Sequence, residues 1–134
     1  MSLEITERER EGIPILDLKG RIVVGPEATA FREAFERLTL KPGSKILLNL
    51  SNVDHIDSTG LGAIVMCATR ANKDGGAAKL VNVNRRQLEL LLLTRLDTIF
   101  EIYDDEMDAV NSFFPNRKIK RFDILSFVQN MDNK

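Results

Sequence analysis

The residues best placed to do chemistry lie in one short segment, residues 52–62, which reads Asn-Val-Asp-His-Ile-Asp-Ser-Thr-Gly-Leu-Gly. Its centre is the hydroxyl of Ser58, which follows the carboxylate of Asp57 and precedes two glycines, Gly60 and Gly62. Glycines leave the backbone uncovered, so another molecule can approach it closely. The segment therefore predicts an accessible and chemically distinctive serine.

The same residues have a plain structural interpretation as the cap of a helix. Aspartate and serine side chains accept hydrogen bonds from the first N–H groups of a helix, and either Asp57 or Ser58 could do so here. Capping sequences are far more common than reactive serines. A functional role for Ser58 therefore needs support beyond its residue type.

Catalysis by this segment is not expected, because the motifs that it would need are missing. Neither Gly-x-x-x-x-Gly-Lys-Ser/Thr nor Gly-x-Gly-x-x-Gly occurs, which argues against a phosphate-binding loop. Ser58 also lacks the Gly-x-Ser-x-Gly frame of a hydrolase nucleophile. The only histidine, His55, lies three residues before Ser58, and we expect it to be a loop residue bonded to the backbone rather than a general base.

Metal and cofactor binding are not expected either. A single cysteine, Cys67, and a single histidine cannot form a structural zinc site. Asp54 and Asp57 have no second acidic cluster to complete a shell of oxygen ligands. Cys67 falls beside the apolar stripe of a predicted helix, so we expect it to be a small packed residue.

Composition places the chain among ordinary soluble domains. Its 134 residues include 19 Lys and Arg against 20 Asp and Glu, for a formal net charge of -1. This balance gives no electrostatic reason to expect nucleic-acid binding. The longest apolar run, at 90–93, is far shorter than the roughly 20 residues that span a bilayer. We expect no membrane insertion, no secretory signal and a cytoplasmic location.

Two strands and a helix are predicted in the first part of the chain. Short runs at 3–8 and 13–18 have the pattern of strands. A helix is predicted to begin at Pro26, because proline is favoured in a first turn. The nearly unbroken apolar run at 46–50 indicates a strand covered on both faces. A polar connection, residues 51–59, then leads to the second helix.

Strands and helices continue to alternate in the second half. A strand at 79–83 ends before Asn84, and Asn84 with Gln87 has the form of a capping box that opens a third helix. A last strand is predicted at 99–103, and a fourth helix opens at residues 104–106. Such alternation predicts an α/β fold, with a mixed, mostly parallel sheet of about five strands and about four helices.

The residues after the fourth helix form a predicted C-terminal extension, 115–134. It contains a small basic cluster and apolar residues spaced to line one face of a short helix. The more common role of such a stripe is to pack on its own domain. The alternatives are a docking segment for a partner or for a second copy in a homodimer.

The strand at 46–50, the connection Val53-x-x-Ile56 and the string Asp57-Ser58-Thr59-Gly60-Leu61-Gly62 together resemble the signature of the STAS domain. This family includes the anti-sigma factor antagonists and the cytosolic tails of sulfate transporters. The resemblance covers roughly Leu3 to Phe114 and predicts a STAS domain at 1–114.

The resemblance implies a phosphorylation switch. In the bacterial antagonists the serine after the aspartate, here Ser58, is phosphorylated by an anti-sigma factor that is itself a serine kinase. The unphosphorylated antagonist binds that kinase, and a serine phosphatase resets the switch. The resemblance thus implies a partner-binding platform with these members: Asp57, Ser58, Thr59, Gly60, Leu61 and Gly62. Thr59, the second hydroxyl, is only a minor candidate for modification.

One departure from the family pattern keeps an alternative open. Many phosphorylated antagonists carry an acid in the turn before the first helix, where this chain has Val23. The alternative is a STAS subunit of a transporter or signalling scaffold that binds an ATPase or another protein constitutively.

Overall fold

The computed structural model describes residues 3–117. Its strands are β1 (Leu3–Arg10), β2 (Ile13–Ile22), β3 (Lys45–Ile56), β4 (Ala77–Val81) and β5 (Ile102–Tyr103). Its helices are α1 (Pro26–Leu38), α2 (Ser58–Lys73), α3 (Arg85–Leu93) and α4 (Glu106–Asn111), with a 3₁₀ turn at Leu96–Thr98. The predicted helix of the C-terminal extension lies outside the described residues.

The five strands form one sheet in the order β1-β2-β3-β4-β5. The first pair is antiparallel and the other three pairs are parallel, which confirms the predicted α/β architecture. Because β2 to β5 are neighbours in chain order, right-handed crossovers bring α1, α2 and α3 to the same face of the sheet.

The sheet is covered on both faces, but unequally. The larger core lies beneath α1, α2 and α3 and includes Phe31, Leu48, Ile64 and Leu88. A smaller core on the opposite face joins α4 to the central strands. It contains Val110 of α4 together with strand residues such as Leu47 and Val81. Within β3, residues 46–48 are fully buried, so the prediction of a strand covered on both faces is confirmed.

β3 is longer than the sequence predicted. The residues 51–56, expected to be a polar connection, continue the strand, and Ile56 pairs with Ile22 at the end of β2. Val53 is buried while its neighbours Asn52 and Asp54 are exposed. Polar residues fit here because only one face of this part of the strand is covered.

The end of the sheet also differs from the prediction. β5 contains only Ile102 and Tyr103, because a 3₁₀ turn at Leu96–Thr98 and a short irregular segment, residues 99–101, precede it. β4 runs from Ala77 to Val81, two residues earlier than expected.

Helix starts were predicted more accurately than strand ends. Asn84 accepts a hydrogen bond from the N–H of Gln87, whose side chain accepts one from the N–H of Asn84, so the capping box is confirmed. α1 begins at Pro26 as predicted. Asp105 caps α4, which ends at Asn111, four residues before Pro115.

Candidate functional site

The candidate site lies at the carboxyl edge of the sheet, where β3 passes into α2. Ile56 is the last residue of the strand, Asp57 is the helix cap and Ser58 is the first residue of the helix. The loop between β2 and α1, with Val24 at its centre, lies beside this junction because β2 and β3 are parallel neighbours. Parallel α/β sheets place their functional loops at this edge.

Asp57 joins the two loops through its carboxylate. Its Oδ1 accepts a hydrogen bond from the N–H of Gly60 at 2.7 Å, and its Oδ2 accepts one from the N–H of Val24 at 2.9 Å. Its own N–H donates to the carbonyl of Ile22 at 3.3 Å. Of the two predicted candidates for the cap, Asp57 is the residue that fills the role.

The hydrogen bonds to Asp57 also fix its charge state. The N–H of Gly60, followed by that of Val24, holds the pKa of Asp57 below its ordinary value, because both bonds favour the ionised form. The nearby His55 acts in the same direction. Asp57 is therefore an anion whose two oxygens are both engaged by the main chain.

Ser58 and Thr59 are both exposed at the first turn of α2. Ser58 follows the capping residue directly, so its position is fixed by the bonds of Asp57 on one side and by the helix on the other. A hydroxyl held in this way is open to a second molecule.

The two glycines of the segment have different surroundings. A Cβ on Gly60 would lie 1.9 Å from the carbonyl oxygen of Ile22, so the missing side chain allows α2 to pack against the end of β2. A Cβ on Gly62 would meet nothing within 4 Å. Gly60 is buried and serves the fold, whereas Gly62 leaves open space on the helix surface.

Apolar side chains lie around the segment as well as within it. Leu61 is half-buried against the larger core. Val24 is 64% exposed beside Asp57, and Met66 is 67% exposed farther along α2. Sequence reasoning missed Val24, because its contact with Asp57 joins residues that are 33 positions apart. Its only local signal was an apolar residue directly before a Gly-Pro helix start.

His55 differs from its prediction. It was expected in a loop, but it lies in β3, where it pairs with Arg21 of β2, and its side chain is exposed.

Cys67 is only 6% exposed, which confirms the prediction of a packed residue. Burial, followed by the nearby charge of Glu36, raises the pKa of its thiol to about 11. The thiol is therefore protonated at neutral pH and a weak nucleophile. In the described part of the chain, no group of three metal-ligating side chains comes together.

None of the helices within residues 3–117 has the length and apolar character needed to cross a membrane.

The chain is similar to proteins named as antagonists of anti-sigma factors. It is 30% identical to the anti-sigma-B factor antagonist of Bacillus subtilis over 102 residues, which cover 76% of this chain and 92% of that protein. It is 29% identical to the anti-sigma F factor antagonist of Paenibacillus polymyxa over 110 residues, which cover 82% of this chain and 94% of that protein.

The fold also matches solved structures of the Bacillus protein SpoIIAA. Its unphosphorylated form aligns with a TM-score of 0.68 at 14% identity, over 87% of this chain and 99% of that one. Its phosphorylated form aligns with a TM-score of 0.63 at 15% identity, over 83% of this chain and 98% of that one.

The family itself is established by the sequence. Residues 4–109 match the family described as STAS domain. This range includes β2 to β5, all of β1 except its first residue, and the junction of β3 with α2 described above. The chain belongs to the STAS domain family.

Proposed function

We propose that this protein is an anti-sigma factor antagonist that binds an anti-sigma factor with serine kinase activity and is released when Ser58 is phosphorylated. The observation that carries the proposal is the exposed Ser58, fixed at the start of α2 by the fully engaged carboxylate of Asp57. The relatives named as antagonists of anti-sigma factors support the same role.

The fold is expected to tolerate a phosphate at this position. A phosphate adds about -1.5 to -2 charges, and the positive end of a helix dipole favours negative charge. Ser58 is exposed, so the added group needs no buried space. The likeness of this fold to both forms of SpoIIAA supports this expectation.

A partner docked over the same turn is not expected to tolerate the phosphate. Asp57 is already ionised beside Ser58, so a phosphate concentrates negative charge in one place. Covering this charge with a protein surface costs desolvation, and any acid on the partner adds repulsion. The switch therefore acts by blocking docking, with little change in the fold.

The transfer itself requires little from this chain beyond its hydroxyl. Ser58 Oγ forms a new bond to the γ-phosphorus of ATP, while the bond from that phosphorus to the oxygen of the departing ADP breaks. The hydroxyl proton passes to a base. Asp57 is a poor candidate for that base, since both of its oxygens already accept hydrogen bonds and its pKa is lowered. The partner kinase supplies the base, so this chain is the substrate and not the enzyme.

The docking surface combines the hydroxyl with exposed apolar groups. Val24 lies next to the cap, the half-buried Leu61 adds apolar surface, and Gly62 leaves the helix open. Apolar side chains of this kind form the centre of many protein interfaces. Since the kinase uses ATP, we place the exchange in the cytoplasm, and a serine phosphatase would restore the free hydroxyl.

The test uses purified serine kinase-type anti-sigma factors from the source organism with Mg-ATP. Wild type, Ser58→Ala and Thr59→Ala are each incubated, and the phosphorylation site is located by mass spectrometry. Binding of each protein to the kinase is measured by calorimetry before and after the reaction. Thr59→Ala is the matched control, because it removes the neighbouring hydroxyl and leaves Ser58 in place.

A single phosphate on Ser58 that abolishes binding would support the proposal. If no kinase modifies or binds the protein, the antagonist function is wrong. A partner that binds wild type and Ser58→Ala equally, with no phosphate formed, would identify the constitutive transporter or scaffold subunit instead.

A further inference from the structure

A second surface of this protein, away from Ser58, is a groove between α1 and α2. Its cavity volume is about 290 Å³. The floor is apolar and consists of Phe35, Cys67 and Ala71, all of them buried. We refer to it as the α1–α2 groove.

Two of the most exposed apolar side chains of the described structure line this groove. Leu40, just after α1, is 80% exposed, and Met66 on α2 is 67% exposed. The surface thus presents protruding apolar side chains beside an apolar depression. One copy of such a surface can fill the depression of another.

The charges around the groove are also of both signs. Arg32, Lys41, Glu36 and Asp74 all line it. Glu36 has an ion pair with Arg70, with their closest atoms 3.4 Å apart and both side chains more than half exposed. Within residues 3–117, the side chains of Arg32, Lys41 and Asp74 take part in no ion pair. Cations and an acid on one surface suit a contact in which the same patch meets itself, because each sign then faces its opposite.

We propose that the α1–α2 groove is a dimer interface between two copies of this chain. The two copies are related by a two-fold axis, Leu40 of each copy packs into the groove of the other, and Lys41 of each copy pairs with Asp74 of the other. The occupant is a second copy because one surface holds the depression, the side chain that fills it and both signs of charge.

The groove lies apart from the modification site. Met66 follows Ser58 by eight positions on α2, which is about 12 Å along a helix. The groove therefore forms its contact in either phosphorylation state, and each dimer presents two copies of Ser58. This inference does not depend on the proposed antagonist function.

The first test measures the mass of the full chain in solution by sedimentation equilibrium over a wide concentration range. Wild type is compared with Leu40→Glu and Met66→Glu, which place a carboxylate in the apolar contact. Leu93→Glu is the matched control, because Leu93 is 84% exposed and lies on α3, outside the groove. All three positions are exposed, and circular dichroism verifies that each variant folds.

Wild type is expected to reach twice the monomer mass, and the two groove variants are expected to weaken the dimer by at least about tenfold. Leu93→Glu is expected to behave as wild type. A wild type that stays monomeric at every concentration overturns the proposal. So does a dimer that neither groove variant weakens, because its interface must lie elsewhere.

A second test examines the charge pairing directly. Lys41→Glu and Asp74→Lys are each expected to be monomeric, since each creates a like-charge pair across the two-fold axis. When the two variants are mixed, every 41–74 pair joins opposite charges, so a mixed dimer is expected. If the mixture remains monomeric, the proposed pairing of Lys41 with Asp74 is wrong.

Discussion

Asp57 is the residue on which the geometry of the candidate site depends. Its carboxylate accepts N–H groups from two separate loops, so it fixes the start of α2 and the position of Val24 at the same time. An asparagine in its place has only one carbonyl oxygen to accept these bonds. One of the two N–H groups would then lose its partner.

We expect Asp57→Asn to lower the stability of the fold in a pH-dependent way. The pKa of Asp57 is lowered in the folded protein, so its ionised form stabilises the fold at pH values above the ordinary aspartate pKa of about 3.9. That stability is lost as the pH falls through the lowered, folded pKa. Urea unfolding should show a difference in unfolding free energy between wild type and variant at neutral pH, and this difference should become smaller on acidification. A difference in unfolding free energy that stays the same down to the most acidic pH would contradict the stabilising role of the ionised Asp57.

The two glycines of the segment should respond in opposite ways to alanine. Gly60→Ala places a methyl group against the carbonyl of Ile22 and should cost at least about 2 kcal/mol of unfolding free energy. Gly62→Ala meets open space and should add about 0.5–1 kcal/mol, because alanine is the better helix former. Urea unfolding measures both changes.

Gly62→Ala also separates folding from binding. If the partner covers this turn, the variant should be more stable than wild type and yet bind the kinase more weakly, because the added methyl group lies in the contact. Unchanged kinase binding by this stabilised variant would place the contact away from Gly62.

Local patterns predicted the residues of the site but not their connection. Asp57, Ser58 and the glycines are adjacent in sequence, so the capping pattern was visible. The bond from Val24 to Asp57, and the close approach of Gly60 to Ile22, depend on how β2 and β3 pair. No pattern within a short window contains that information.

At the scale of elements, α4 is held to the edge of the sheet by charged groups. Arg8 of β1 binds both Asp17 and Glu106, and Arg10 donates a hydrogen bond to Glu106 at 2.6 Å. The hydrogen bond from Arg8, followed by the one from Arg10, lowers the pKa of Glu106 to about 2 against the opposing effect of burial. These contacts join the first strand to the last described helix.

We expect Glu106→Gln to destabilise the fold at neutral pH, because it removes the ion pairs of Glu106 with Arg8 and Arg10. The loss should be only about 1 kcal/mol of unfolding free energy, because solvent screens these partly exposed arginines. The carboxylate contributes this stability above the ordinary glutamate pKa of about 4.3, and loses it as the pH falls through about 2. Thermal unfolding at several pH values tests this. Glu89→Gln, which breaks the more exposed pair of Glu89 with Arg85, is the matched control and should have a smaller effect. Equal effects of the two variants would argue against Glu106 as the residue that holds α4 to β1.

Elements were predicted well where burial and periodicity agreed. The strand at 46–48 is buried on both faces, and α1 begins at Pro26, as their patterns indicated. The extension of β3 to Ile56 was missed because its residues are mostly polar. It is a strand because β2 extends beside it, which is a property of the pair and not of either segment.

At the scale of the whole molecule, the order of the strands explains how one domain can carry two separate surfaces. Sequential order puts α1, α2 and α3 on one face, and α2 is central among them. The first turn of α2 carries Ser58, while its second half forms a wall of the α1–α2 groove.

We expect phosphorylation of Ser58 to leave the folded molecule nearly unchanged. The unfolding free energy should differ by less than about 1 kcal/mol, since the phosphate lies at the favourable end of a helix dipole. Amide NMR shifts should change around the start of α2 and the loop of Val24, and remain the same in β4 and β5. Widespread shift changes would mean that phosphorylation acts by refolding.

The two open edges of the sheet, as the described residues define them, have a consequence for the behaviour of the protein at high concentration. Strand β1 forms one edge and exposes a series of charged side chains: Glu4, Glu7, Arg8, Glu9 and Arg10. Strand β5 forms the other edge and is only two residues long. Charged or very short edge strands are poor templates for adding a foreign strand, and this protects sheets from aggregation. Concentrated solutions of this protein should therefore resist the growth of fibrils.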